Sequence, residues 1–209
     1  AIRVLRRARG YAPAALRLPP GFEAAPEVLA FGGDLKSAFC LVKPGSAVLS
    51  QHIGDLDDAA TLDDYARSIR LYRDMLAASP SHRGCDLHPR YRSTAMAKTL
   101  ANDETLTLHL VQHHHAHVAS CLLENRRSLD AVPVLGIALD GLGLGNDGQI
   151  WGGEFLLADY RGFERLGTLK PVAMLGGDQA SREPWRCLYA HLMAEMGWPA
   201  FTMNYRELE

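Results

Sequence analysis

The feature that most constrains the fold is a nearly continuous apolar run at 132–139, bounded by Asp130 and Asp140. A run of this length is too short to cross a membrane, which takes roughly 18 apolar residues. Because it does not alternate with polar residues, it predicts a strand that is buried on both faces of a sheet. Strands of this kind are typical of α/β domains, in which helices cover the sheet.

Three shorter apolar runs near the start of the chain predict an antiparallel meander. They occupy 28–31, 38–42 and 47–50. A glycine-containing turn at 32–37 separates the first two runs, and Pro44-Gly45 precedes the third. Short apolar runs divided by glycine and proline turns are typical of strands that are joined by hairpins.

The rest of the chain alternates helical and strand patterns. Apolar residues recur at helical spacing over 62–78, where Thr61 and Asp64 can form a capping box and Ser79-Pro80 ends the run. Further helices are predicted at 91–102, at 114–124 and from Pro184 onward, and further strands at 105–110, 150–158 and 163–169. This order predicts an α/β fold with a mixed sheet and flanking helices, as in an actin-like or ribonuclease-H-like lobe.

Composition and charge exclude several classes of protein. The chain has 209 residues, of which 47% are hydrophobic and 22% charged, as in an ordinary globular domain. A net charge of −2 provides no global basic field that would recruit nucleic acid or anionic lipid. The four cysteines lie far apart and form no Cys-x-x-Cys pair, so neither a thiolate zinc site nor a redox motif is predicted. With no membrane span or leader segment recognised, we interpret the chain as cytoplasmic.

The first 24 residues are interpreted as a connector. Over residues 10–27, regular strand pairing is excluded by prolines at positions 13, 19, 20 and 26, and an extended segment is favoured. The basic stretch that opens the chain resembles the end of a strand from an upstream domain. A domain boundary is therefore placed near residue 24, and the chain is interpreted as an excised piece.

A histidine cluster at 113–117 is the sharpest local feature. On a helix, His113 and His117 lie one turn apart on the same face, so both imidazoles can reach one metal ion. His114 with His117 is an alternative pair, and a solvated polar helix start is the alternative to a metal site. Asp140, directly after the apolar run, is the candidate for a third ligand.

Asp140 also opens a glycine-rich segment at 140–148, in which Gly143, Gly145 and Gly148 have the spacing of a dinucleotide-binding fingerprint. That fingerprint must open a helix, whereas the residues that follow here favour a strand. We therefore predict a strand, turn and strand. Its glycines either let backbone N–H groups approach phosphate oxygens or simply form a tight hairpin, and the sequence leaves both interpretations open.

Other polar segments are candidates for ligand contacts. In the turn at 32–37, Lys36 and Ser37 could contribute a charge and a hydroxyl to phosphates, although the spacing is not that of a Walker A motif. Gly176-Gly177-Asp178 is a third glycine turn with a carboxylate, which plain loop and cap chemistry also explains. For Asp86, His88, Arg90 and Arg92 a structural or surface role is favoured, and for His52 and Asp55 the sequence leaves the role open.

Five motifs occur in an order and spacing that resemble the HypF carbamoyltransferases of hydrogenase maturation. They are SQHIGDL at 50–56, CDLHPRY at 85–91, VQHHHAH at 111–117, ALDGLGLGNDGQIWGGEF at 138–155 and GGDQASREPWR at 176–186. The resemblance covers about residues 25–209, as a truncated first lobe of the carbamoyl-transfer domain. RRARGYAP at 6–13 resembles the end of the preceding YrdC-like domain, so residues 1–24 would be its tail plus a linker.

The resemblance implies an ASKHA-type fold, shared with the tRNA threonylcarbamoyl transferases, in which a nucleotide lies between two lobes. It implies that carbamoyl phosphate and ATP form carbamoyl-adenylate in the YrdC-like domain. The carbamoyl group would then pass to the C-terminal cysteine of HypE for synthesis of the cyanide ligands of [NiFe] hydrogenase. Because the family continues well beyond these residues, activity of the isolated chain is not expected.

The resemblance also assigns site residues. It places a divalent metal, whether iron, zinc or magnesium, on His113, His117 and Asp140. Asp140 and, from the turn at 32–37, Lys36 are predicted to be catalytic. The expected nucleotide contacts are Gly32, Gly33, Lys36, Ser37, Gly141, Gly143, Gly177 and Asp178. The alternatives are a carbamoyl or threonylcarbamoyl transferase with another acceptor, or an ASKHA-like binding module without chemistry.

Overall fold

In the computed structural model, residues 11–103, 106–177 and 179–204 are described. The chain divides into two compact units, with the change between Leu166 and Gly167. The strands are β1 (Ala15–Arg17), β2 (Val28–Phe31), β3 (Phe39–Lys43), β4 (Ser46–Leu49), β5 (His82–Asp86), β6 (Thr107–Val111), β7 (Val134–Leu144), β8 (Ile150–Ala158) and β9 (Phe163–Thr168). The helices are α1 (Ala59–Met75), α2 (Arg92–Asp103), α3 (His113–Glu124), α4 (Gln179–Arg182) and α5 (Trp185–Asn204).

The larger sheet has the strand order β1-β4-β3-β2-β5-β6. β2, β3 and β4 form the predicted antiparallel meander. β5 pairs in parallel with β2, and β6 pairs in parallel with β5. Parallel neighbours need crossover connections, which α1 and α2 supply. The predicted α/β fold with a mixed sheet and flanking helices is therefore confirmed.

α1 begins earlier than predicted because a different residue caps it. Asp58 Oδ2 accepts a hydrogen bond from Thr61 N at 2.8 Å, so the helix starts at Ala59 and not at 62. Apolar side chains of α1 and α2 bury themselves against the sheet, and this core provides most of the first unit's packing. Its buried residues include Leu29, Phe39, Leu41, Tyr65, Ile69, Cys85 and Ala97.

The expectation that the N-terminal segment forms no regular pairs is wrong. β1 pairs antiparallel with β4, with Ala15 opposite Val48 and Arg17 opposite Ser46. The prolines lie on either side of this short strand, so its own backbone N–H groups remain available for the ladder. The boundary near residue 24 stays a prediction, and residues 1–10 lie outside the described part of the chain.

The smaller sheet has the order β7-β8-β9, and it corrects the prediction of a strand that is buried on both faces. β7 alternates between buried and exposed residues, and its outward side chains Leu135, Ile137 and Leu139 are 58%, 59% and 73% exposed. The reason is that α3 covers one face of β7, whereas the other face stays open within the described residues. The sequence does not show this alternation between buried and exposed positions, because both faces of β7 carry apolar residues.

Two glycines let α3 approach β7 closely. A Cβ on Gly136 would lie 2.4 Å from a methyl carbon of Val118, and a Cβ on Gly143 would lie 2.1 Å from Cε1 of His114. No real Cβ contact is that short, so any side chain at either position would push the helix away from the strand. The packing therefore brings the first turns of α3 directly over β7.

The second unit contains the helix predicted from Pro184. α5 is interrupted at Gly197, which has a φ of +73°, and Pro199 follows two residues later. A left-handed glycine followed by proline breaks the helical hydrogen-bond ladder. Among the described helices, none combines the length and the hydropathy that a membrane crossing requires.

We expect Gly136→Ala to lower the free energy of unfolding by about 1–3 kcal/mol, because the new methyl group must displace Val118. Urea denaturation followed by circular dichroism measures the change. Gly167→Ala is the matched control, since it also lies in a strand but has open space around its Cβ position. Equal stability of both variants would contradict the close packing of α3 on β7.

Candidate metal centre

α3 begins at His113 because the preceding residue caps the helix. Gln112 has extended backbone angles, and its Oε1 accepts a hydrogen bond from His115 N at 2.8 Å. A helix that starts here places His113 and His117 one turn apart on the same face. The predicted helix at 114–124 is confirmed, and it starts one residue earlier than expected.

The imidazoles of His113 and His117 meet the carboxylate of Asp140. His113 Nε2 lies 2.8 Å from Asp140 Oδ2, and His117 Nε2 lies 3.7 Å from the same oxygen. The two Nε2 atoms are 3.2 Å apart, and one ligand atom from each of the three residues lies within 4.8 Å of the others. Two imidazoles on one tetrahedral ion at roughly 2.0–2.1 Å would have their nitrogens roughly 3.3 Å apart. The donor set therefore fits one divalent ion.

A bulge in β7 places the side chain of Asp140 next to α3. The register between β7 and β8 shifts between Leu139 and Gly143, so the residues in between bulge out of the ladder. Gly152 on β8 makes room for the bulge, because a Cβ there would lie 2.9 Å from the carbonyl oxygen of Asp140. The expected strand end at 139 is thus wrong: β7 continues to Leu144, and Asp140 lies in a bulge within it.

His113 and Asp140 each shift the pKa of the other. Hydrogen bonds to Asp140 and then to Asp86 raise the pKa of His113 to about 9, against an ordinary value of 6.5. Hydrogen bonds from His113 and then from His117 lower the pKa of Asp140 far below its usual range. At neutral pH and without metal, His113 is therefore a cation between carboxylates, and a metal ion would replace its Nε2 proton.

His114 does not join the cluster. Its side chain is fully buried, and its Nδ1 lies 3.0 Å from Nε2 of Gln112. Burial lowers the pKa of His114, which keeps the ring neutral. The alternative pairing of His114 with His117 is therefore wrong, because His114 packs toward β7 while His117 faces Asp140.

Asp86 is a site residue that the sequence did not reveal. Its Oδ2 lies 2.6 Å from Nδ1 of His113, on the opposite side of the ring from Asp140. The Asp86 side chain is 8% exposed and so does not lie at the surface, whereas a structural role for it stays a prediction. The parallel pairing of β5 with β6 brings the two residues together, because Asp86 ends β5 opposite Val111, which lies two residues before His113. Such pairing is not visible in one sequence.

Tyr91 lies between the first glycine turn and the carboxylates. Its ring stacks on His88 with centroids 4.3 Å apart, and a Cβ on Gly33 would lie 3.8 Å from its Cε2. Burial, followed by the negative charges of Asp86 and Asp140, raises the pKa of Tyr91 to about 12. The phenol therefore stays protonated at neutral pH and can donate a hydrogen bond near the centre.

The backbone of the first glycine turn, at 32–37, is fixed by the carboxylate of Asp55. Lys36 is exposed, and its backbone N donates to Asp55 Oδ1 at 2.6 Å, so its role toward a ligand stays a prediction. Ser37 is only 1% exposed, because it lies inside the bridge with Gly54. The Ser37 side chain is therefore buried, and its contact with a nucleotide stays a prediction. A Cβ on Gly32 would lie 2.3 Å from the carbonyl oxygen of Ala38, just before β3. Close packing within the turn is therefore sufficient reason for a glycine at this position.

The second glycine segment forms the predicted strand, turn and strand. Gly143 lies inside β7 and is buried beneath His114, so its expected contact with phosphate is not supported. Gly141 is exposed and has open space at its Cβ position, and its nucleotide contact remains a prediction. Gly177 belongs to the second unit, where it has a φ of +61°. Asp178 lies outside the described residues.

In metal-free protein, we expect the free energy of unfolding to fall as the pH rises from 6.5 to about 9. The folded state binds a proton at His113 more tightly than the unfolded chain does, so this stabilisation is complete below pH 6.5 and is lost as the pH passes the folded pKa. Urea denaturation with EDTA across this window measures it. His113→Gln should flatten the dependence, whereas His115→Gln should retain it. An unchanged slope in His113→Gln would contradict the ion pair.

Known sequences place the chain in one family. The profile of the HypF Kae1-like domain matches residues 23–124, and that of the second subdomain of the carbamoyltransferase Kae1-like domain matches 136–208. The carbamoyltransferase HypF of Rhodobacter capsulatus is 49% identical over 183 residues, which are 88% of this chain and 25% of the relative. HypF2 of Cupriavidus necator is 44% identical over 193 residues, which are 92% of this chain and 23% of the relative.

Solved structures agree with these matches. A full-length HypF in the phosphate- and nucleotide-bound form superposes with a TM-score of 0.84 at 37% identity, over 99% of this chain and 26% of that one. HypF of T. kodakarensis superposes with a TM-score of 0.81 at 37% identity, over 92% of this chain and 24% of that one. The chain thus spans about a quarter of the length of these relatives. It belongs to the HypF family of carbamoyltransferases.

Proposed function

We propose that this chain is part of an enzyme that carbamoylates the C-terminal cysteine of HypE in [NiFe] hydrogenase maturation. Carbamoyl phosphate and ATP would supply the group as carbamoyl-adenylate, and cyanide ligands would be made from the product. The observation that carries the proposal is the convergence of His113, His117 and Asp140 in a chain of the HypF family. A binding module without chemistry has no need of this donor set.

The transfer itself is an acyl substitution. The cysteine thiol gives its proton to solvent, and its sulfur attacks the carbamoyl carbon. A C–S bond forms, the C–O bond to the adenylate breaks, and AMP leaves with the electron pair. The protein must therefore hold the carbamoyl and phosphate oxygens and bring the thiolate to the carbon.

The donor set favours iron or zinc over magnesium, because two imidazoles are poor partners for an ion that prefers oxygen ligands. Bound by His113, His117 and Asp140, such an ion would polarise the carbonyl and balance the charge of the phosphate. The protonated phenol of Tyr91 is suited to donate a hydrogen bond to a substrate oxygen. Open space at Gly141 would let a nucleotide approach the backbone.

Lys36 completes the proposed catalytic residues with Asp140. Its side chain is exposed on a turn whose backbone is fixed by Asp55, so it can move toward a phosphate without changing the fold. A lysine ammonium on a fixed turn is a suitable partner for a phosphate as it leaves.

The test is single-turnover transfer of radiolabelled carbamoyl from carbamoyl phosphate and ATP to HypE, in a full-length HypF-family protein that contains this chain. We expect His113→Ala, His117→Ala and Asp140→Ala each to slow transfer by about 100-fold or more, which is the scale for losing a group that stabilises developing charge. Formation of carbamoyl-adenylate should be retained, because that step is assigned to another domain.

His115→Ala is the matched control, since His115 lies on the same helix but contacts the carbonyl of Asp159. It should transfer at the rate of the unsubstituted protein. Undiminished transfer in all three cluster variants would reduce the cluster to a structural feature. Transfer to a different acceptor, with none to HypE, would reject the proposed partner while keeping the chemistry.

A further inference from the structure

Asp86 contacts the one nitrogen of His113 that faces away from the metal centre. Asp86 Oδ2 lies 2.6 Å from His113 Nδ1, and the two side chains are 8% and 20% exposed. On the other side of the ring, Nε2 faces Asp140 and His117 at 2.8 Å and 3.2 Å. The imidazole is therefore held between a buried carboxylate and the cluster.

Asp86 is itself fixed by three separate contacts. Its backbone closes the parallel ladder opposite Val111. Its Oδ1 accepts a hydrogen bond from His88 N at 2.7 Å, and its carbonyl accepts one from the buried hydroxyl of Thr94 at 3.1 Å. These contacts restrict the position of the Asp86 carboxylate, and its hydrogen bond with Nδ1 in turn fixes the orientation of the His113 ring.

The neighbouring His114 shows that the two histidines differ in tautomer. Gln112 Oε1 is occupied by the helix cap, so its amide Nε2 points at His114 Nδ1 and at the carbonyl of Leu144. His114 Nδ1 must accept, which leaves the proton on Nε2. His113 Nδ1 faces a carboxylate and must donate. Once His113 is neutral, or a metal ion has replaced its Nε2 proton, these adjacent histidines on one helix therefore carry their protons on opposite nitrogens.

We propose that Asp86 is a positioning residue that selects the Nδ1–H tautomer of His113 and holds its Nε2 lone pair toward the metal ion. The inference rests on the proposed metal centre. A carboxylate behind a ligating histidine fixes the ring and raises its basicity, and the loss of such a partner typically weakens metal binding by about 10–100-fold.

The first measurement is the Zn²⁺ dissociation constant of the purified chain, by competition with a chromophoric chelator. We expect Asp86→Ala to weaken Zn²⁺ binding by about 100-fold and Asp86→Asn by about tenfold, since asparagine keeps an acceptor oxygen but loses the charge. Asp130→Asn is the control, because Asp130 forms only an exposed ion pair with Arg161. Affinity like that of the unsubstituted protein in either Asp86 variant would overturn the proposal.

The second measurement separates positioning from general destabilisation. In protein with ¹⁵N-labelled histidine, two-dimensional NMR reports which ring nitrogen of each histidine carries a proton. In the metal-free protein at a pH above the pKa of His113, the neutral ring should be protonated on Nδ1, and in Asp86→Asn this preference should weaken while His114 keeps its proton on Nε2. An unchanged His113 tautomer in that variant would overturn the proposal, and a change at both histidines would indicate a disturbed helix and also reject it.

Failure of the metal centre itself gives a different result. If Zn²⁺ bound equally to the unsubstituted chain and to His113→Ala, the proposed metal ligands would be rejected. The tautomer of His113 in the metal-free chain at alkaline pH would then still test Asp86, because the hydrogen bond does not require the ion. Loss of the Nδ1–H preference in Asp86→Asn supports its role there, and retention overturns it.

Discussion

The close approach of α3 to β7 is the interaction on which the site depends. Gly136 and Gly143 leave no Cβ between helix and strand, and Val118 and His114 fill the space. A bulkier residue at either position would push α3 away from β7 and so change the distances between the ligand atoms. The site is therefore a product of packing as much as of ligand identity.

The charges around His113 are the second constraint on the site. Two carboxylates, Asp86 and Asp140, flank one imidazole, and their hydrogen bonds raise the pKa of His113 and so favour its protonated form when no ion is bound. A divalent cation would provide the same positive charge in a fixed position. The centre is thus electrostatically prepared for a cation in a way that a pair of surface histidines is not.

Much of the fold followed from patterns that are local in sequence. The meander, the crossover helices and the pair of histidines at helical spacing depend on residues a few positions apart, and all were predicted. Asp86 and Tyr91 were missed because parallel strand pairing and the contact with Gly33 join distant segments. The exposure of one face of β7 was missed because apolar residues occupy both faces, so no alternation of polarity signals it. The burial of Ser37 was missed because the position of a hydroxyl in a turn says nothing about which way its side chain points.

Gly152 never touches a ligand atom, yet its missing side chain leaves space for the carbonyl of Asp140. A backbone oxygen cannot rotate aside as a side chain can, so any larger residue on β8 at this point would force the bulge to reshape. Positions 152 and 140 are therefore expected to change together in evolution. Gly152 should be replaced only in homologues that have also lost Asp140 from this position. A glycine on one strand would then record whether the carboxylate on the next strand still has a function.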